Sequence, residues 1–264
     1  MKTLKSILFL LCLLFAAQVY AGDKTSFLKK QFTTSNGYQL NYRVLYPENY
    51  CPDQKYPVLL FMHGAGERGS DNEKQLFHGG DTFASYENQS KYPAIIIAPQ
   101  CPEDSYWVEF ISPKTNDNWF ARTYPLNPTM TKPLAAVKEL LDSYIAKGIV
   151  DTKRIYVFGL SMGGMATYEL LCRYPNLFAA ATPICGAVNM DRLAKYRGKA
   201  PVRLYHGAAD NVISVEYSQK AYDLLKKNGI EVTYKEYPGV DHNSWTPAFA
   251  EPDFFSWMFE HKLP

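Results

Sequence analysis

Short solid apolar runs alternate with stretches of helical periodicity along most of this chain. Residues 58–62 and 94–98 are apolar without interruption, the pattern of strands buried on both faces. Residues 39–46 alternate in polarity and predict an edge strand closed by Pro47. Residues 154–158, 179–184, 202–205 and 232–237 continue the strand series. Between them, Thr131 can cap a helix with Pro133 in its first turn. Leu134, Val137, Leu140, Leu141, Tyr144 and Ile145 then recur at helical spacing, and Gly148 stops the run. Further helices are predicted over 162–173, ended by Tyr174-Pro175, over 214–228, ended by Gly229, and over 254–261. This alternation predicts an α/β fold, a mostly parallel central sheet with helices on both faces. Ligands of such sheets bind at the carboxyl ends of the strands, so motifs placed there carry the most weight.

The N-terminus breaks the pattern. Lys2 and Lys5 precede an unbroken apolar run over 7–17, and Val19 and Ala21 occupy the −3 and −1 positions of a small-residue cleavage site. This predicts a secretory signal peptide over 1–21, with a single catalytic domain over 22–264 and a secreted or periplasmic location. After cleavage no membrane span is expected, because no internal apolar run approaches the ~20 residues of a span, and Cys12, inside the apolar run with no small residue before it, gives no case for a lipid anchor. At 47% apolar and 20% charged, the chain has globular composition. Without Lys2 and Lys5, the basic residues fall to equal the 26 acidic ones. A neutral chain with no long basic run gives no electrostatic case for a nucleic-acid partner.

Four cysteines remain beyond the signal: Cys51, Cys101, Cys172 and Cys185. Their spacing matches no zinc pattern. Cys51 precedes one predicted strand and Cys101 follows the next. If the strands are parallel, these two lie roughly 17–20 Å apart, beyond the ~7 Å that a disulfide bridges. Mostly free, buried thiols are expected.

The chemistry concentrates at strand ends. Gly159-Leu160-Ser161-Met162-Gly163 is a G-x-S-x-G pentapeptide running from a predicted strand into a predicted helix, the setting of a nucleophile elbow. A sharp turn there lifts Ser161 above the sheet. Gly159 and Gly163 remove side chains that would collide with neighbouring elements, and the N–H of Met162 points at the carbonyl under attack. A serine hydroxyl needs an adjacent base. His242, just past the last strand, is the candidate, and His261 on the closing helix is not. The carboxylate that steadies the base is assigned to Asp210 in His206-Gly207-Ala208-Ala209-Asp210, with Asp191 as second choice. Asp241 adjoins the histidine in sequence, and adjacent side chains seldom face each other. The Gly-rich turn His63-Gly64-Ala65-Gly66 after the strand at 58–62 assigns the second oxyanion donor to the N–H of Ala65. That turn lacks the spacing of a phosphate loop. His63 and His206 are expected to be packed structural histidines rather than metal ligands.

With these residues in place, the chain resembles the α/β-hydrolase superfamily, and within it secreted esterases related to polyhydroxybutyrate depolymerases and to feruloyl and acetyl-xylan esterases. The matching stretches are HGAGERG at 63–69, APQCP at 98–102, GLSMGG at 159–164, HGAAD at 206–210 and GVDHNSWTPAF at 239–249. The resemblance implies an α/β-hydrolase fold. It also implies a Ser161–His242–Asp210 triad acting through an acyl-enzyme on a small-molecule or polysaccharide-linked ester. Neither metal nor cofactor is implied. A serine peptidase of the same superfamily and a non-catalytic binding protein on this scaffold are the competing readings. The first would want a large extra domain, and the second has no support because every catalytic residue type is present. Residues 101–130 form a long aromatic-rich loop at a strand end, a usual place for function. Trp107 is the first choice from it as a substrate-binding residue, and Trp245, three residues beyond His242, is the second.

Overall fold

The computed structural model describes residues 23–114 and 118–264. The predicted signal peptide over 1–21 lies outside the described residues. Among those described, one sheet has eight strands: β1 (Leu28–Thr33), β2 (Gln39–Leu45), β3 (Tyr56–Met62), β4 (Ile95–Pro99), β5 (Val150–Leu160), β6 (Ala180–Ile184), β7 (Val202–Gly207) and β8 (Val232–Tyr237). Their order across the sheet is β1-β2-β4-β3-β5-β6-β7-β8. β1–β2 and β2–β4 pair antiparallel, and every other neighbour pairs parallel. The helices are α1 (Gly80–Phe83), α2 (Tyr86–Lys91), α3 (Lys132–Ala146), α4 (Met162–Arg173), α5 (Met190–Leu193), α6 (Glu216–Lys227), α7 (Trp245–Phe249) and α8 (Phe254–Phe259).

The alternation of side chains along each strand builds the core as two layers. In β3, Val58, Leu60 and Met62 join one cluster, with Leu134 and Leu140 of α3, Met165 of α4 and Leu225 of α6. Leu59 and Phe61 face the other cluster, with Phe83 of α1 and Phe254 and Met258 of α8. In that second layer the Phe158 ring lies 5.2 Å from Phe61, 5.3 Å from Phe83 and 5.7 Å from Phe254. Truncating so central a ring costs about 3–5 kcal/mol.

Local signals set the element ends. The Thr131 hydroxyl accepts the N–H of Leu134 at the start of α3, with proline in the first turn. Gly148 takes φ +77° just beyond its end, a conformation that glycine reaches without a Cβ penalty. The strand predicted as an edge over 39–46 is not the edge. β1 covers it, with Leu28 opposite Val44 and Thr33 opposite Gln39. The sequence hides β1 because five of its six residues are exposed and none is buried, so no buried face marks it. The four cysteines 51, 101, 172 and 185 carry free thiols. Among the described residues no helix is long and apolar enough to cross a membrane.

Candidate active site

The carboxyl ends of β3, β5, β7 and β8 converge at one rim. β5 runs straight into α4 through Ser161, which takes φ +53° and ψ −118°. That positive φ is uncommon for a residue with a side chain. The turn is enforced by backbone crowding. A Cβ on Gly163 would lie 1.9 Å from the Met62 carbonyl oxygen, and one on Gly159 would lie 2.5 Å from the carbonyl oxygens of Met62 and Gly163. Only glycine lets the elbow nest against the end of β3.

His242, on the loop after β8, reaches the elbow. Its Nε2 lies 2.9 Å from Ser161 Oγ, and its Nδ1 lies 2.8 Å from Asp210 Oδ2. Asp210 Oδ1 accepts the N–H groups of Val212 and Ile213, each at 2.9 Å. Burial pushes the Asp210 carboxyl up. Hydrogen bonds from His206, His242 and the Ile213 backbone outweigh that and hold it far below the usual carboxylate range. Asp241 accepts from Asn211 N, Asn211 Nδ2 and its own neighbour's N–H, His242 N. It shapes the loop and leaves the imidazole to Asp210. Asp191 is exposed in the first turn of α5.

Ala65 opens a single 3-10 turn after β3, and Met162 opens α4. The N–H groups of first-turn residues have no acceptor within their own helix. Gly64 lets this turn lie against β5: a Cβ there would come 2.8 Å from Leu160 Cδ1. Arg68 fastens the turn to the next loop. Its Nε donates to the Ala65 carbonyl at 2.9 Å, while its NH1 donates to the carbonyls of Glu103 and Ser105 at 3.0 and 3.1 Å. The guanidinium also sits 4.1 Å above the Tyr106 ring.

Trp107 is not where the sequence reading put it. It is 0% exposed, its Nε1 donates to the His63 carbonyl at 3.1 Å, and its ring lies 5.2 Å from His63. Proximity to the end of β4 takes it beneath the rim rather than onto it, so it presents no surface to a substrate. Trp245 stays half-buried at the start of α7, edge-on to His242 at 5.4 Å and 4.9 Å from His78. His78 faces Glu67 at 3.5 Å and is followed outward by Phe77, 71% exposed. Elsewhere in the 101–130 loop, Tyr106, Phe110 and Trp119 cluster, and Arg122 lies 4.1 Å above Phe110 and 3.9 Å above Trp119.

His63 is fully bonded: its Nδ1 donates to the Gly64 carbonyl at 2.6 Å and its Nε2 accepts from Cys101 N at 2.9 Å. Burial pushes its pKa down to about 4. Among the described residues, one trio of possible metal ligands, Cys185, Asp210 and His242, has its donor atoms within 4.8 Å of one another. The donor chemistry argues against a resident ion. Burial pushes the Cys185 thiol up, away from the ligating thiolate, and the other two groups already bond each other. Sequence reading missed His206 as a partner of Asp210, although the four-residue spacing in HGAAD offered the signal. It also missed Arg68, Glu67 and His78, whose roles depend on loops that meet only in space.

Comparison with known proteins gives this rim its class. A solved thermostable esterase superposes with a TM-score of 0.78 at 34% identity, over 90% of this chain and 64% of that one, so the chain spans about two thirds of its length. Carboxylesterase SOBER1 of Arabidopsis thaliana is 29% identical over 206 residues, covering 70% of this chain and 82% of the relative. Feruloyl esterase B of Thermothelomyces thermophilus is 24% identical over 235 residues, 75% of each chain. The molecule is an α/β-hydrolase, a carboxylesterase-type serine hydrolase. Residues 50–252 match the phospholipase/carboxylesterase family, and the chain belongs to it.

Proposed function

We propose that this protein is a secreted ester hydrolase in which Ser161 is the nucleophile, His242 the proton carrier and Asp210 the orienting carboxylate. The reading is carried by the unbroken hydrogen-bonded path Ser161 Oγ–His242 Nε2 at 2.9 Å and His242 Nδ1–Asp210 Oδ2 at 2.8 Å. Ser161 Oγ attacks the ester carbonyl carbon and passes its proton to His242 Nε2. The carbonyl oxygen becomes an oxyanion held by the N–H groups of Ala65 and Met162, with the α4 N-terminus adding partial positive charge. The tetrahedral species collapses, and His242 returns the proton to the departing alcohol. Water, deprotonated by His242, then attacks the acyl-enzyme and releases the acid with free Ser161.

The substrate class favoured is acyl groups decorating plant polysaccharide, feruloyl or acetyl. Similarity to a feruloyl esterase supports this, and Trp245, edge-on to His242, is the residue proposed to contact the substrate. Secretion rests on the pattern over 1–21. Fluorophosphonate labelling and ester turnover test the chemistry. Ser161→Ala is expected to abolish labelling and lower kcat on the order of 10⁶-fold. Wild-type-like turnover in that variant would overturn the assignment. Release of ferulate and acetate from arabinoxylan, set beside hydrolysis of a peptide amide, reads the substrate class. Faster amide cleavage would replace the esterase reading with a peptidase.

A further inference from the structure

Asp210 Oδ2 lies within 3.1 Å of two imidazoles, and catalysis as described uses only one. His206, at the end of β7, places its Nε2 3.1 Å from Asp210 Oδ2, with both side chains 0% exposed. The same Nε2 lies 3.1 Å from the Ile213 carbonyl oxygen. Neither a carboxylate nor a carbonyl oxygen has a proton to give, so Nε2 must carry the hydrogen. Its Nδ1 lies 2.7 Å from Ser218 Oγ, on the buried face of α6. A neutral ring protonated at Nε2 accepts there, so the serine hydroxyl donates. The geometry therefore selects one tautomer, and Ser218 locks it.

We propose that His206 is a positioning residue for the reaction, holding the Asp210 carboxylate ionised and aimed at His242. A hydrogen-bonded chain then runs Ser218–His206–Asp210–His242–Ser161. The inference rests on the triad reading above. Its physical content is saturation. An ionised carboxylate offers about four acceptor sites. Asp210 accepts three full hydrogen bonds, from Val212 N and Ile213 N on Oδ1 and from His242 Nδ1 on Oδ2, and the single Nε2 hydrogen of His206, shared with the Ile213 carbonyl, stands at the fourth acceptor site. Gly207 makes the arrangement possible. A Cβ there would lie 2.3 Å from the carbonyl oxygens of Val240 and Asp241, so the loop bearing His242 crosses β7 directly beside His206.

The other titratable groups around this chain come from four elements. Burial pushes the thiol of Cys185, at the end of β6, and the hydroxyl of Tyr168, on α4, upward, so both stay neutral. Glu236 of β8, opposite His206 in register, is held low by its bond from Tyr234. Asp241 is engaged by Asn211. Without the His206 donor, the Asp210 charge is less compensated and holds the His242 proton more tightly. Return of that proton to the leaving alcohol slows, and the acid limb of kcat/KM moves to higher pH.

The test uses kcat and kcat/KM against pH on a short aryl acetate, with folding checked by circular dichroism. His206→Leu is expected to lower kcat about tenfold at little cost in KM and to raise the acid limb. His206→Gln, whose side-chain amide can donate near the same point, is expected to restore most of both. Wild-type kcat and limb in His206→Leu overturn the proposal, as does equal damage in the Leu and Gln variants, which would assign His206 to packing alone. Should His206→Leu fail to fold, Ser218→Ala decides. Loss of the tautomer lock is expected to shift the limb the same way with a two- to threefold fall in kcat, and an unchanged profile overturns the proposal. Ser161→Ala runs alongside. Activity surviving there removes the triad reading itself, whereas activity lost there but normal in the His206 variants removes only this inference.

Discussion

The elbow at 159–164 and the loop at 101–130 share the same rim of the sheet and are held by opposite means. In the elbow, backbone lies on backbone. Gly163 sits against Met62, and Gly164 against Gly186, where a Cβ would meet the facing chain at 2.6 Å. In the loop, side chains stack on side chains, with Arg68 and Arg122 over a cluster of Tyr106, Phe110 and Trp119. Backbone contact leaves one geometry and no tolerance. Stacked rings and guanidinium groups hold a shape by many small attractions, none of them obligatory. The first arrangement suits a centre whose atoms must meet within tenths of an ångström, the second a surface loop that keeps its shape without such precision.

That contrast predicts a gradient of effects. Gly163→Ala should be the most damaging. A methyl 1.9 Å from the Met62 oxygen forces β3 and α4 apart, with an expected cost of about 3 kcal/mol in urea unfolding and a fall in kcat of at least ~100-fold. A variant with unchanged stability would mean that the elbow yields, and the contrast would fail. His63 offers a probe of the same backbone region by pH. In the unfolded chain it takes a proton near pH 6.5, but in the fold only near 4. Stability from this group is therefore complete above about pH 6.5 and is lost as pH falls through 4, on the order of 3 kcal/mol in all. In His63→Gln the unfolding free energy should fall less steeply across that window, and an identical slope would show that His63 is not held neutral.

The loop should respond more weakly. Trp119→Ala removes the ring 3.9 Å below Arg122 and is expected to cost about 1–2 kcal/mol. Turnover of a short aryl acetate should stay within about twofold, since no reacting atom moves. A collapse of turnover there would erase the distinction between the two regions. The smallest effect is expected at Asp71, which ties the segment after the Ala65 turn to the end of β4 by accepting from Gln100 Nε2 at 2.8 Å and from the N–H groups of Glu73 and Lys74. Although burial pushes its carboxyl up, those bonds hold it at about 2. Its contribution is present above the ordinary carboxylate range near 4 and is lost as pH falls through 2. At neutral pH, Asp71→Asn should lower Tm by only about 1–2 °C, because the group is largely solvated.

The same contrast explains what could be read from the chain. Gly159 and Gly163 are legible because backbone crowding at a strand-to-helix turn permits no side chain there, and Ser161 is legible from its place between them. α4 begins and ends where the sequence puts it, at Met162 and Arg173. Asp210 and His242 are legible from their places after β7 and β8, and the structure joins Asp210 to His242 and His242 to Ser161. β1 was illegible because an exposed edge strand shows no buried face. Trp107 misled because a ring near a strand end can turn above the rim or below it. Only the bond to the His63 carbonyl, 44 residues away, decides which. His206 reads as a packed histidine from its neighbours in sequence; the four-residue spacing to Asp210 hints at their contact, which forms when the loop after β7 closes.

Arg68 carries one more consequence. A single guanidinium buttons the turn bearing Ala65 to the carbonyls of Glu103 and Ser105 and to the Tyr106 ring. A foreign segment grafted over residues 103–106 would therefore also loosen the turn that carries the proposed Ala65 donor, unless the graft keeps a seat for that one cation. The two segments are mechanically tethered here, and altering one without the other starts with cutting or re-anchoring that clasp.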